Sequence, residues 1–415
     1  VKEYLAYRAQ QGKRSSIDDV IDTLIERVGA RQFEVMPTRV LEQSNSPAVR
    51  YVLGKKYFRE NNFSAVLKNV TSVPSGHPVK PYALLLEGGA LSIMGRQDEA
   101  IDAYKECIRV SDRAMGNARN VLRKKQLEIN RDYCQIGIGR AQFAAGRYTL
   151  AEAAYSGLPK QSYVWPEILF EEAWNAFYIG EYNRTLGKLV TYKAPPLSHY
   201  FNPETEVLTA MTYLHMCLYD DARKTIDTFY GNYESDARGV RNFLDSHSGD
   251  YRLFFDMARG RESGTVRGNA LMNVFMNDIV NEPTYKELRD VLVEAAKELP
   301  KTSRTGAGRF GKILERSLRE TIGVQRNLIG AWVKSSLSNR YIQMYKSFSG
   351  MSYIKLEVLA RAKDVLYQRE SGYRVRGDIK NLERKENQYF WSFNGEFWAD
   401  EIGDYVFDLK SECKK

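Results

Sequence analysis

The sequence predicts an all-α protein in which paired helices are followed by longer ones. Three observations carry this. Glycines recur at a fixed spacing: Gly54 and Gly88, each a few residues before a turn, are 34 residues apart, as are the turn glycines Gly146 and Gly180. Apolar residues recur at i, i+3 and i+4 through most of the chain, the period of a helix buried on one face. Only 12 prolines interrupt 415 residues of which 43% are hydrophobic. A chain this long exceeds what one core supports, so an elongated array or several domains are expected.

The repeats start near 47, 81, 132, 166 and 203. In the second, Gly88, Leu91, Gly95, Ala100, Tyr104 and Cys107 fall at alternating small and large packing positions. In the third these are Gly139, Gln142, Gly146, Tyr148, Ala151 and Tyr155. The fourth has Ala173, Ala176, Gly180, Tyr182 and Leu189, and the fifth Ala210, Tyr213, Tyr219, Ala222 and Ile226. A small residue in one helix lets its neighbour approach, and a large aromatic fills the next gap. GRQDEA, GRYTLA and GEYNRT supply the turn between paired helices. Residues 115–131 interrupt the phase and are expected to lengthen a helix. Upstream, Val20, Ile21, Leu24, Ile25 and Val28 predict a capping helix pair within 17–43.

These residues resemble tetratricopeptide repeats over about 47–236. The resemblance implies an α-solenoid of about five helix pairs whose first helices line a groove. Carried over residue by residue, the groove would present Tyr51, Lys55, Phe58 and Arg59, then Tyr82 and Leu85. Tyr133, Arg140 and Phe143 follow, then Phe170, Trp174, Phe177 and Tyr178, and finally Met211 and His215. Aromatics and arginine dominate binding hot spots, and a concavity of this kind takes a peptide or a helix. Aromatic stripes at helical spacing are also commonly core, and C-terminal helices folding back would fill such a groove. Tyr51 and Lys55 replace the lysine and asparagine of the carboxylate clamp used by some family members, which argues against recognition of chaperone tails.

Beyond 250 the phase fades while helical periodicity continues. Leu314, Leu318 and Ile322, then Leu328 and Trp332, then Ile342, Tyr345 and Phe348 predict two long helices near 308–336 and 338–370. Residues 301–380 hold 17 Lys or Arg against 6 Asp or Glu, whereas the whole chain carries +9. This basic region is expected either to be a solvated face that docks the acidic tail, or to bind an anionic polymer or membrane surface. GAGRFGK at 306–312 satisfies GxGxxG, but Ile313 stands where a phosphate loop needs Ser or Thr, and the preceding segment reads as helix. It is expected to be a linker between helices.

The tail is aromatic and acidic, with Asn394–Gly395 and Gly403 as turn signals between Trp391, Phe393, Phe397 and Trp398. A short β-hairpin closing the helical body is expected. The tail resembles the aromatic ending of repeat proteins from gliding and predatory deltaproteobacteria, which implies an envelope-associated scaffold. The expected layout is therefore capping helices at 1–46, a solenoid at 47–236, a basic helical domain at 237–380 and the tail at 381–415.

No catalytic constellation emerges from the sequence. The four histidines (His77, His199, His215, His247) are far apart, and neither a metal nor a cofactor is expected. The four cysteines (Cys107, Cys134, Cys217, Cys413) show no CxxC spacing and read as small hydrophobes, so disulfides are not expected. No apolar run approaches the length of a membrane span. The chain starts at Val1 without an apolar leader, so the residues before it would decide on export. The expectation is a non-catalytic interaction scaffold with a protein partner, in the periplasm or else the cytoplasm, nucleic acid being the less expected ligand. An accessory factor binding an anionic polymer through 301–380 is the alternative, and a cell-wall lytic enzyme a weaker one.

Overall fold

Backbone sterics mark the helix pairs. Asn61, Gly95, Gly146, Gly180 and Cys217 all lie in the left-handed region, with φ between 57° and 89°. In four of these turns the next amide reaches back five residues to close the preceding helix. Asn62, Arg96, Arg147 and Leu218 donate to the carbonyls of Tyr57, Leu91, Gln142 and Tyr213, each at 2.9 Å. This is the Schellman closure, which satisfies helix-end carbonyls and sends the chain back along itself. The spacings from Asn61 to Gly95 and from Gly146 to Gly180 are both 34 residues.

These features come from a computed structural model that describes residues 21–22, 25, 30–34, 36–197, 200–264, 268–305, 309–366, 391–392 and 405–413. The protein is all-α. In the expected 17–43 pair Ile21, Asp22 and Ile25 are helical, two four-residue helices α1 (Arg31–Glu34) and α2 (Thr38–Leu41) follow, and 17–20, 23–24, 26–29 and 35 lie outside the described residues. Four pairs follow, α3 (Pro47–Arg59) with α4 (Phe63–Val70), α5 (Lys80–Ile93) with α6 (Gln97–Asn117), α7 (Val121–Ala144) with α8 (Tyr148–Ser156), and α11 (Glu204–His215) with α12 (Tyr219–Ser246). Between the last two pairs, α9 (Trp165–Ile179) and α10 (Tyr182–Val190) are joined by the Gly180 turn. Segment 115–131 lengthens two helices rather than one: α6 runs to Asn117, and α7 starts at Val121 under an Asn120 cap.

The chain divides into two units, Val1–Ile179 and Gly180–Lys415, a division that falls inside the 47–236 segment. In the first unit the core is built from close approaches at glycine. A Cβ on Gly88 or on Gly137 would lie 2.5 Å from the ring of Tyr104, so that ring is seated against both α5 and α7. Gly139 seats the ring of Tyr155 in the same way.

The second unit continues with α13 (Tyr251–Glu262), α14 (Ala270–Asn281), α15 (Pro283–Thr305) and α16 (Arg309–Leu366). The expectation of two long helices is corrected here. α16 is one helix of 58 residues, about 87 Å at the standard rise. Its buried residues Val333, Leu337, Met344, Met351, Ile354 and Val358 join a core with Phe229, Phe254 and Phe275. α11, α12, α13, α14 and α15 all pack against it. Arg309–Lys312, the end of the glycine-rich motif, form its first turn and the element before the motif is helix α15, not the strand a phosphate loop follows; residues 306–308 lie outside the described residues.

Two further sequence expectations change. All four cysteines are paired: Cys107 with Cys134, and Cys217 with Cys413, at Cα separations of 6.3 and 5.1 Å. The first joins α6 to α7, and the second ties the tail to the α11–α12 turn. Cysteines 27 and 196 positions apart carry no local signal of pairing. In the tail, β1 (Trp391–Ser392) pairs with β2 (Tyr405–Val406) in parallel, so these strands are not the arms of a hairpin. The turn residues between them lie outside the described residues. Beyond β2 the tail runs beside α10. The Phe407 amide donates to the Asn183 carbonyl, and the Asn183 side chain bonds the Leu409 backbone through both its oxygen and its nitrogen.

Candidate functional site

The candidate site lies in the first unit, on α7, α8 and α9. On α9, Ile168, Leu169, Ala173 and Ala176 are buried, which leaves Phe170, Trp174 and Tyr178 as a stripe at i, i+4 and i+8 on another face. α7 contributes Arg140 and Phe143, and α8 contributes Tyr155. Together with Glu171 these side chains line a cavity of about 490 Å³.

The walls are held by ring-on-ring contacts. Phe143 meets Tyr178 edge-to-face at 5.3 Å, and Tyr178 stacks on Tyr148 at 5.4 Å. Trp174 meets Phe170 at 6.4 Å and Phe177 at 5.7 Å, both edge-to-face. Edge-to-face contacts fix ring orientation, because the positive rim of one ring meets the negative face of the next. The wall is therefore held in place before any ligand arrives. Tyr178 is still 54% exposed, large for an aromatic of that size.

One side of the cavity is polar. Arg140 Nε donates to Glu171 Oε1 at 2.8 Å, and its guanidinium lies 3.5 Å from Glu167. The Tyr133 hydroxyl donates to Glu167 at 3.1 Å, and Tyr155 is hydrogen-bonded to Glu171. Burial pushes the Glu167 carboxyl above its ordinary value, with Arg140 pulling the other way. Burial, with Glu171 beside it, raises the Tyr155 hydroxyl. Two carboxylates share the Arg140 guanidinium, Glu171 in the cavity wall and Glu167 beside it.

The other sequence-predicted groove residues are placed differently. Lys55 and Arg59 both reach the buried carboxylate of Glu34, at 2.6 and 2.5 Å. Burial raises Tyr51, with Glu34 adding to the effect. The chain's own N-terminal segment thus occupies this face of α3. Phe58 packs edge-to-face on Phe63 at 5.5 Å, and Arg123 lies 5.4 Å over the ring of Tyr82. Leu85 packs on the core around Tyr104. In the second unit Met211 packs against the core that includes α16, so the long helix takes that face of α11. His215 lies beside Tyr182 at 5.8 Å, and burial lowers its pKa. The structure therefore brings Arg140, Phe143, Phe170, Trp174 and Tyr178 around one cavity, with Phe177 behind Trp174.

Sequence reasoning missed Glu171, Glu167 and Tyr148 at this site. Glu167 and Glu171 are four residues apart on one helix, a spacing that also describes any solvated face. Tyr148 and the cavity-lining Tyr155 fall at packing positions of the repeat pattern. A second cavity of about 560 Å³ lies in the second unit, lined by Tyr192, Phe201, Glu206, Thr225 and Tyr233 among others. Burial raises Glu206 there, and Tyr233 hydrogen-bonds to it. Among the described residues no group of histidine, cysteine or carboxylate side chains is placed to hold a metal ion, and no helix is long and apolar enough to cross a membrane. No protein family model matches the chain, and no curated protein matches it.

Proposed function

We propose that this protein is a non-catalytic interaction scaffold of the tetratricopeptide-repeat type that captures a partner peptide or helix in the α7–α9 cavity. One observation carries the reading: a cavity of about 490 Å³, walled by pre-oriented aromatics with one guanidinium at its rim, on helices otherwise buried in the repeat core. Its size falls within the range of ordinary ligand sites. Rigid aromatic walls bind with little loss of side-chain entropy, which is why such residues dominate hot spots. The partner side chain that fits has an apolar or aromatic body.

An oxidising compartment completes the proposal. Two disulfides, one in each unit, are a device of exported proteins rather than of the reducing cytoplasm. They support a periplasmic, envelope-associated scaffold.

The test is selection of binding peptides from a random library, followed by titration against the wild type and the Trp174→Ala, Phe177→Ala double variant. Affinity should fall by at least ~30-fold while the melting curve keeps its shape, as expected for truncated hot-spot aromatics. Peptides that bind both proteins equally would exclude the cavity as the site.

A further inference from the structure

The long helix α16 has one seam covered by the described residues and a second, uncharged seam whose apolar residues stand exposed. The covered seam runs Val333, Leu337, Arg340, Met344, Ser347, Met351, Ile354 and Val358, alternating steps of four and three. All but Arg340 are fully buried, and Arg340 pairs with Glu282 at 2.6 Å. The second runs Val324, Leu328, Ala331, Ser335, Ser338, Ile342, Tyr345, Ser349, Ser352, Leu356 and Leu359. It keeps the same alternation for five heptads without one charged residue. That is the pattern of a coiled-coil seam. Yet Val324, Leu328, Ile342, Tyr345, Leu356 and Leu359 are 43–68% exposed. Exposed apolar residues that recur along one face in this way, with serines and one alanine between them, mark an interaction site.

The order of residues along the stripe says what fits it. Read outward from Ile342, the two arms match in size almost position by position. Ser349 mirrors Ser335, Leu356 mirrors Leu328 and Leu359 mirrors Val324, and Ser352, whose hydroxyl lies 2.6 Å from that of Tyr230 at the edge of the stripe, mirrors Ala331. At the one unequal step a large Tyr345 mirrors a small Ser338. An antiparallel copy centred on Ile342 would thus set leucine and valine against leucine at both ends, serine and alanine together between, and tyrosine into the gap above serine. Two-fold interfaces need this self-complementarity, since each patch meets itself reversed.

The charges allow it. Of the lysines flanking the stripe, Lys334 lies 5.8 Å over Tyr251 and Lys355 lies 5.3 Å over Tyr230, both turned onto the chain's own body. Lys346, in the same arrangement, faces Asn339 of the copy. Covering the stripe on both helices would bury on the order of 1,400 Å² in total, within the range of stable interfaces.

We infer that the protein forms an antiparallel, two-fold dimer through the outer seam of α16. Each copy would then carry its own α7–α9 cavity, but the inference does not rest on that cavity's function.

The experiment is sedimentation equilibrium of the whole chain, wild type against Ile342→Glu with Leu356→Glu. The wild type should dimerise, and more tightly as salt screens the basic helices from each other. The double variant should be at least ~100-fold weaker, because it buries unpaired carboxylates, with helical content unchanged. In a second measurement, Ile342→Cys should cross-link to its copy under mild oxidation, while Val324→Cys should not, since the two ends lie apart in an antiparallel pair. A wild type that stays monomeric would overturn the dimer. So would a dimer indifferent to both glutamates, or one that cross-links through Val324→Cys.

Discussion

Tyr104 sits between two glycines that have no side chain to give. Gly88 is on α5 and Gly137 on α7, and a Cβ at either would stand 2.5 Å from the ring. Burial raises the Tyr104 hydroxyl to about 12, so the residue stays neutral and acts through its ring. Gly88→Ala or Gly137→Ala should each cost about 2–3 kcal/mol in thermal or denaturant unfolding, the usual price of overpacking. Gly116, near the end of α6, has open space where its Cβ would be. Gly116→Ala should stabilise by about 0.5 kcal/mol, as alanine does over glycine in a helix. Equal effects at the three positions would show that helix propensity, not the ring, sets the cost. Asp278 on α14 is a second residue with its own consequence. Burial raises its carboxyl from 3.8 to about 7; Arg340, 3.8 Å away, pulls it down and Glu282 pushes it up. The folded protein therefore keeps a proton that the unfolded chain releases near pH 4. The stability this gives is complete below about pH 4 and is lost as pH rises through 7. Asp278→Asn should raise stability at pH 8 by a few kcal/mol at most and leave it nearly unchanged at pH 4. A constant difference between those two pH values would show that the carboxyl is not the cause.

At the scale of helices, the turns between successive helices were legible because a turn needs a particular backbone. Gly95, Gly146 and Gly180 adopt positive φ at their expected places, and the packing glycines Gly88 and Gly139 face the aromatics expected of them. The same turn is made by Asn61 and Cys217, which look like ordinary helix residues, so two of the five turns had no glycine to announce them. The sequence pattern divides the long helix because Ser335, Ser336, Ser338 and Asn339, around the single apolar Leu337, separate two apolar runs. No proline or capping geometry stops the helix there. Its outer residues, Leu328, Ile342 and Tyr345, were grouped with the inner Trp332 and Phe348, which mixed two seams of one helix. The aromatic stripe of α9 was readable from i, i+4 spacing alone. That α1–α2 would occupy the Lys55–Arg59 face was not, since only the fold brings Glu34 to them.

Over the whole molecule, each disulfide lies within one of the two units, Cys107–Cys134 in Val1–Ile179 and Cys217–Cys413 in Gly180–Lys415. A cross-link stabilises chiefly by removing conformations from the unfolded chain, so its effect belongs to whatever unfolds together with it. If each unit unfolds as its own cooperative body, calorimetry should show two transitions, and each disulfide should govern one. The sequence separations are 27 and 196 residues. Loop-closure entropy then assigns about 3.5 and about 5 kcal/mol to the two bonds as upper values. Replacing Cys107 and Cys134 by serine should lower one transition by roughly 10 °C and leave the other in place. Serine at Cys217 and Cys413 should do the reverse, with a larger fall, because the bond closes nearly the whole second unit. Local release of the tail is the competing outcome, and it predicts a different signal: proteolysis confined to the residues after Leu366, with the second transition unmoved. Both transitions shifting together in either variant would mean that the units fold as one body, and that neither disulfide acts on its own unit alone.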